Sequence, residues 1–341
     1  MLFLYIRTDN LLLLQEIFIW FNHTICTCLN FGFMKALIYK STGSWYVTKT
    51  DDGKIFNARI KGVLKISGLT STNPIAVGDV VEMDLENELE STTTITGIHD
   101  RKNYIARVSP HNKNQHHIIA SNLDQSFLFA TIKDPKTSQG FIDRFLVSCE
   151  SFHVPAVIIF NKADVYRQKE LDRFEEFESM YEKVGYKVVL ASVVNNNGID
   201  EVKQLLKNET TLLSGHSGVG KSSLINAIFP ELNLRTKEVS DWSGKGMHTT
   251  TFAEMFDLPS GGKVIDTPGL REFGLTDITK QELSHYFPEM RKRLNDCQFN
   301  NCMHTNEPGC AVKEAVNTGE IHVDRYVSYM TILDTMEDKS Y

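Results

Sequence analysis

From residue 35 to about residue 107, apolar and polar positions alternate in short runs: KALIYKSTGSWYVTKT, KIFNARIKG, DVVEMDLE and TTTITGIHD. A period of two predicts strands covered on one face. Gly53, Gly62, Gly68, Gly78 and Gly97, with Asn73 and Pro74, separate the runs at turns. Short strands with glycine corners predict an all-β barrel like the oligonucleotide-binding fold, although the pattern alone does not separate it from an SH3-like barrel. From about residue 122 the period changes. DQSFLFATI, VPAVIIF, YKVVLASV and TTLLSG are nearly continuous apolar runs, with helical spacing between them in SQGFIDRFLVSCESF, residues 169–183 and IDEVKQLLK. Such alternation predicts a parallel sheet with helices on both faces. TTTFAEMFDL and KVIDTPG read as a strand pair across Gly261 and Gly262, and after about residue 276 the pattern is helical and cysteine-bearing. The expected layout is an extension at 1–33, a barrel at 35–107, an α/β domain at 108–275 and a mostly helical domain at 276–341.

The first 33 residues fit none of these periods. Arg7, Asp9 and Glu16 interrupt their apolar run, and the basic start and small-residue cleavage site of a signal peptide are missing. No run reaches the ~18 uncharged apolar residues of a membrane-spanning helix. Translation is therefore expected to begin at Met34, with the preceding residues non-native or a frayed tail, and the protein is expected in the cytoplasm. A chain of 341 residues suits two or three domains. The net charge of −7 argues against coating nucleic acid by bulk charge but leaves room for a local basic face.

GHSGVGKS, residues 215–222, follows the apolar strand TTLLS and precedes the helical SLINAIF, the context a P-loop requires. Gly215, Gly218 and Gly220 permit close backbone approach, and the helix start points N–H groups at phosphates. His216, Ser217, Val219 and Ser223 complete the phosphate-binding stretch. Lys221 is the candidate catalytic lysine, reaching the β- and γ-phosphates, and Ser222 the candidate magnesium ligand. In DTPG, residues 266–269, Asp266 would hold magnesium through water, and the Gly269 amide would sense the γ-phosphate.

NKAD, residues 161–164, follows the strand VIIF. The Asp164 carboxylate can accept from both N1–H and N2–H of guanine, whereas adenine offers no matching donor and would leave a carboxylate unpaired. Asn161 can tie the base to the phosphate loop, Lys162 can lie across the purine, and the backbone at Ser192 can meet guanine O6. No P-loop precedes Asn161, so base motifs come before phosphate motifs, and the order of a GTP site is circularly permuted. Joining termini that lie close at a surface costs little.

Cys297, Cys302, His304 and Cys310 have the spacing C-x4-C-x-H-x5-C. Three thiolates and one imidazole suit one tetrahedral, structural zinc ion. His322 is a more distant alternative to His304.

NKAD, GHSGVGKSSLIN, GMHTTT, DTPGLREFG and the cysteine cluster, in this order, resemble the ribosome small-subunit-dependent GTPase A family from about Lys35 to the C-terminus. The resemblance implies a Mg²⁺-dependent GTP hydrolase of late small-subunit maturation, stimulated by that subunit, that binds GTP or GDP and rRNA and has no membrane partner. A monomer is expected. Leu270 stands where many GTPases carry a water-orienting glutamine, so intrinsic turnover is expected to be slow. His248 is then the candidate to position water or stabilise the transition state. One of Thr249 and Thr250, here taken as Thr250, completes the magnesium shell. Lys61, Lys65, Arg101, Lys102 and Arg107 are candidate RNA contacts in the barrel. The rival reading is an RNA-binding scaffold in which GTP is a structural or slow-switch ligand.

Overall fold

The computed structural model describes residues 34–60, 73–87, 90–108, 116–234, 253–267, 275 and 278–336. Five strands open the fold: β1 (Met34–Ser41), β2 (Tyr46–Thr50), β3 (Ile55–Ile60), β4 (Val80–Asn87) and β5 (Thr92–Ile98). β1 pairs with β2, β2 with β3, β3 in parallel with β5, and β5 with β4, which returns to β1 and closes a barrel. Closure leaves no exposed edge between these strands. In β3 the side chains alternate, Phe56 and Ala58 inward and Ile55 and Asn57 outward. Ile38, Val81, Met83 and Ile95 meet them in the barrel core.

A hairpin that the patterning did not foretell, β6 (Tyr104–Val108) with β7 (His116–Ser121), links the barrel to the next domain. At this junction Arg101 donates from Nε and Nη2 to the buried Asp79 carboxylate, both at 2.6 Å, and Ser121 Oγ donates to the same group. Arg101 is thus committed to an internal ion pair, which corrects the expectation that it meets RNA. Lys102 pairs with Asp124 at 2.7 Å on the exposed side, and Lys61 and Lys65 lie outside the described residues.

The second layer alternates β8 (Gln125–Ala130), α1 (Gln139–Ser151), β9 (Ala156–Phe160), α2 (Gln168–Val184), β10 (Lys187–Leu190), α3 (Ile199–Leu205), β11 (Thr210–Ser214) and α4 (Lys221–Ile228). The hairpin β12 (Glu254–Asp257) and β13 (Lys263–Asp266) completes the sheet, in the order β10-β9-β8-β11-β13-β12. All neighbours are parallel except β12 against β13. Every residue of β8 is buried because helices cover both faces. Leu128 and Ala130 face one core with Ile142 and Phe177, while Phe127 and Phe129 face the other with Leu224 and Ile225. β12 also pairs with β1 at Lys40 and Glu254, joining sheet to barrel, and the two side chains form an ion pair at 2.9 Å.

The C-terminal part is helical: α5 (Pro288–Arg291), α6 (Ala311–Asn317) and α7 (Val323–Thr335), with two short 3₁₀ turns among the described residues. Its core of Phe287, Met290, Val312, Tyr329 and Ile332 includes Val147 of α1, so α1 is shared with the nucleotide domain. Arg325 on α7 is fully buried and seals this junction, pairing with Asp143 of α1 and, at 2.7 Å, with Glu289. Among the described residues no helix is long and apolar enough to cross a membrane.

Candidate nucleotide site and cysteine–histidine cluster

The base and phosphate motifs meet at the carboxyl ends of neighbouring parallel strands, where open α/β sheets bind ligands. NKAD begins where β9 ends, and the phosphate loop begins where β11 ends, with β8 between them. Two segments more than fifty residues apart are tied directly: Asn161 Nδ2 donates to Val219 O at 2.9 Å and to Gly220 O at 3.4 Å. This amide is the cross-link expected between base and phosphate halves.

The phosphate loop has the backbone its glycines foretell. Gly215 and Gly220 adopt φ of 134° and 89°. A Cβ at Gly215 would stand 2.4 Å from Phe129 O, and one at Gly220 would stand 2.5 Å from Asn161 Nδ2, so a side chain at either position would force its neighbour to shift. Gly220 is the N-cap of α4, whose free amides face the loop. Lys221 Nζ folds back over the loop onto Gly215 O at 2.7 Å and His216 O at 3.1 Å. Ser222 follows on the first turn of α4. Asp266 ends β13 opposite Leu213 of β11, beside the loop. Burial pushes its carboxyl above the ordinary value, and the Lys221 ammonium opposes that shift.

On the base side, Asp164 is half-buried, and its Oδ1 accepts from Ser192 Oγ at 2.6 Å. Among the described residues no other hydrogen bond reaches this carboxylate, which leaves acceptor capacity for a ligand's donors. Lys162 takes a left-handed φ of 64°, and its Nζ donates to Asp134 O at 2.7 Å. Three contributions escaped the reading of the sequence. The Tyr166 hydroxyl bridges the end of β8 to Asn161. Phe141 of α1 packs on the His216 ring at 3.8 Å between centroids. Gly198 turns the chain against Leu190 O, which a Cβ would meet at 2.3 Å. Only the glycine left a sequence signal, in the run NNNG. His248, Thr249, Thr250, Gly269 and Leu270 lie outside the described residues.

At the other end of the molecule, the ligand atoms of Cys297, Cys302, His304 and Cys310 all lie within 4.8 Å of one another. His304 Nδ1 stands 3.7 Å from Cys297 Sγ and 3.4 Å from Cys310 Sγ. A tetrahedral site with bonds of roughly 2.0–2.3 Å has edges of roughly 3.3–3.8 Å, so the spacing fits a metal ion. Burial holds the His304 imidazole below its ordinary value, which keeps it neutral and able to ligate. Cys310 is the N-cap of α6, and its Sγ accepts from Lys313 N. Tyr326 and Tyr329 brace the turn by donating to His304 O and Met303 O at 2.6 Å and 2.8 Å. His322 is not in the cluster; it is the N-cap of α7 and accepts from Asp324 N.

A base motif, a phosphate loop and an aspartate at the end of β13, converging on one edge of one sheet with the base half earlier in the chain, define a P-loop GTPase of circularly permuted order. Residues 98–276 match the RsgA GTPase family and residues 35–93 the RsgA N-terminal domain. The small ribosomal subunit biogenesis GTPase RsgA of Flavobacterium psychrophilum is 50% identical over 309 residues, covering 90% of this chain and 94% of that protein. Its counterpart in Bacteroides fragilis is 48% identical over 308 residues, covering 90% and 99%. Among solved structures, YjeQ from Thermotoga maritima aligns with a TM-score of 0.70 and 33% identity, covering 88% of this chain and 97% of that one. YloQ, described as a circularly permuted GTPase, aligns with a TM-score of 0.68 and 28% identity, covering 92% and 98%. The chain belongs to the RsgA GTPase family.

Proposed function

We propose that this GTPase acts in biogenesis of the small ribosomal subunit, in its late maturation, and that the subunit stimulates its hydrolysis of GTP. The observation that carries the GTP reading is the Asn161 amide bonded to the phosphate loop, because it sets a guanine-reading carboxylate beside a phosphate cradle in one pocket. The ribosomal reading rests on relatives named small ribosomal subunit biogenesis GTPases.

In this account Asp164 reads the guanine edge, Lys162 covers the purine, the backbone at Ser192 meets O6, and Asn161 holds the base turn to the loop. Residues 215–223 cradle the phosphates, and Lys221 stabilises charge on the β- and γ-phosphates. Ser222 and Asp266 hold magnesium with Thr250, the Gly269 amide senses the γ-phosphate, and His248 orients water; the last three roles rest on sequence motif. Magnesium supplies charge neutralisation at the transferring phosphoryl group. Zinc is the metal assigned to Cys297, Cys302, His304 and Cys310, since three thiolates and one imidazole leave no open position and suit a structural ion. The layout follows as 35–107 barrel, 108–275 nucleotide domain and 276–341 metal-binding domain, in a cytoplasmic monomer.

The test is steady-state GTP turnover of the full chain with and without purified small and large subunits. Stimulation of at least tenfold by small subunits alone is expected. Equal turnover in all three conditions would favour a scaffold that holds GTP as a passive ligand.

A further inference from the structure

The residue two places beyond NKAD sits at a junction that no motif marks. Tyr166 is buried, and its hydroxyl makes two hydrogen bonds in series. It accepts from Ile132 N at 2.9 Å, just past the end of β8, and donates to Asn161 O at 2.7 Å. The neighbouring bonds show why this matters. Asn161 N donates to Ala130 O, and Asn161 Nδ2 donates into the phosphate loop. The Tyr166 bond to Asn161 O is therefore a third anchor on one residue, from a third direction.

The peptide that carries Asn161 O is the one joining it to Lys162, which holds the left-handed φ of 64°. A β-carbon disfavours that conformation, so it persists only where surrounding contacts over-determine it. Fixing Asn161 O fixes the plane of this peptide and the direction in which the next three residues leave the sheet. Asp164 is the third of them. Burial pushes the Tyr166 phenol up to about 12, so the hydroxyl keeps the proton it donates. A phenylalanine would leave a part-buried amide at Ile132 and a buried carbonyl at Asn161 without partners.

We infer that Tyr166 is a positioning residue for guanine recognition: its hydroxyl pins the Asn161–Lys162 peptide and thereby aims the Asp164 carboxylate at the base. This rests on the reading of Asp164 as the group that meets guanine N1–H and N2–H. Tyr166 holds the backbone of Asn161, whereas the tie to the phosphate loop runs through the Asn161 side chain, so the role is felt mainly at the base edge.

The experiment measures dissociation constants of the full-length chain for GTP and for inosine triphosphate, which lacks the 2-amino group, in native protein, Tyr166→Phe and Asp164→Asn. Thermal unfolding is followed in parallel, and phenylalanine preserves the ring that fills the site. Tyr166→Phe is expected to weaken GTP binding about tenfold and inosine triphosphate binding less, so that the preference for GTP shrinks at least threefold. An equal loss for both nucleotides, or GTP affinity within twofold of native, overturns the inference. Asp164→Asn separates the two levels. If it loses GTP while Tyr166→Phe does not, the positioning role alone falls. If Asp164→Asn binds GTP as the native chain does, the base reading falls, and this inference with it.

Discussion

Asp164 and Asp143 are both aspartates held by a neighbouring hydroxyl, Ser192 in one case and Tyr181 in the other. Their surroundings differ in one respect. Asp143 is fully buried and faces the guanidinium of Arg325, which also pairs with Glu289 and lies 4.7 Å from the Phe287 ring. Asp164 is half-buried and, among the described residues, forms no ion pair. A sealed carboxylate has its electrostatic partner built into the fold, so it serves docking, here of the helical C-terminal part onto α1. An open carboxylate braced from behind has its position fixed but its hydrogen-bonding capacity unspent, and that capacity is what a ligand uses. Strong burial of charge is thus a poor guide to this site.

The sharpest way to break the contrast is Arg325→Met. Removing one partner of a buried ion cluster leaves Asp143 and Glu289 uncompensated, and such losses cost about 3–5 kcal/mol. Denaturant unfolding of the full chain is expected to show that loss, while the folded protein keeps its preference for GTP over ATP. Stability within about 1 kcal/mol of native would mean that the cluster is not a docking element. A smaller effect of the opposite kind is expected from Gly220→Ala. The left-handed φ of 89° and a Cβ 2.5 Å from Asn161 Nδ2 strain the bond between the two halves of the pocket. Backbone strain of this sort costs about 1–3 kcal/mol, or roughly five- to 150-fold in GTP affinity if it is relieved by giving up the bound geometry. Calorimetric titration with GTP checks it, and native affinity would show that the link between halves is not needed.

The sheet was legible because its strands are continuous apolar runs and its phosphate loop is a spaced pattern of glycines, each with a mechanical cause that the sequence exposes. The four-residue metal cluster was legible for the same reason, since ligand chemistry and short spacing travel together. Tyr166 and the Phe141–His216 contact were not, because each works through a distant partner that only the folded sheet brings near. Arg101 misled for the converse reason. A basic residue in a barrel reads as an RNA contact until Asp79, twenty-two positions earlier, is found against it. The β6–β7 hairpin left no clear alternation to read, because Ile118–Ser121 of β7 are buried in succession and both strands are short.

The central claim is that a carboxylate at position 164 reads guanine for a phosphate loop that follows it in the chain. Competition between GTP and ATP for the purified full-length protein, native and Asp164→Asn, tests it most directly. The native chain is expected to prefer GTP by at least about a hundredfold, the scale set by leaving a buried polar group unpaired, and the variant to lose most of that preference. Equal affinity for the two nucleotides in the native chain, or an unchanged preference in the variant, would contradict the account.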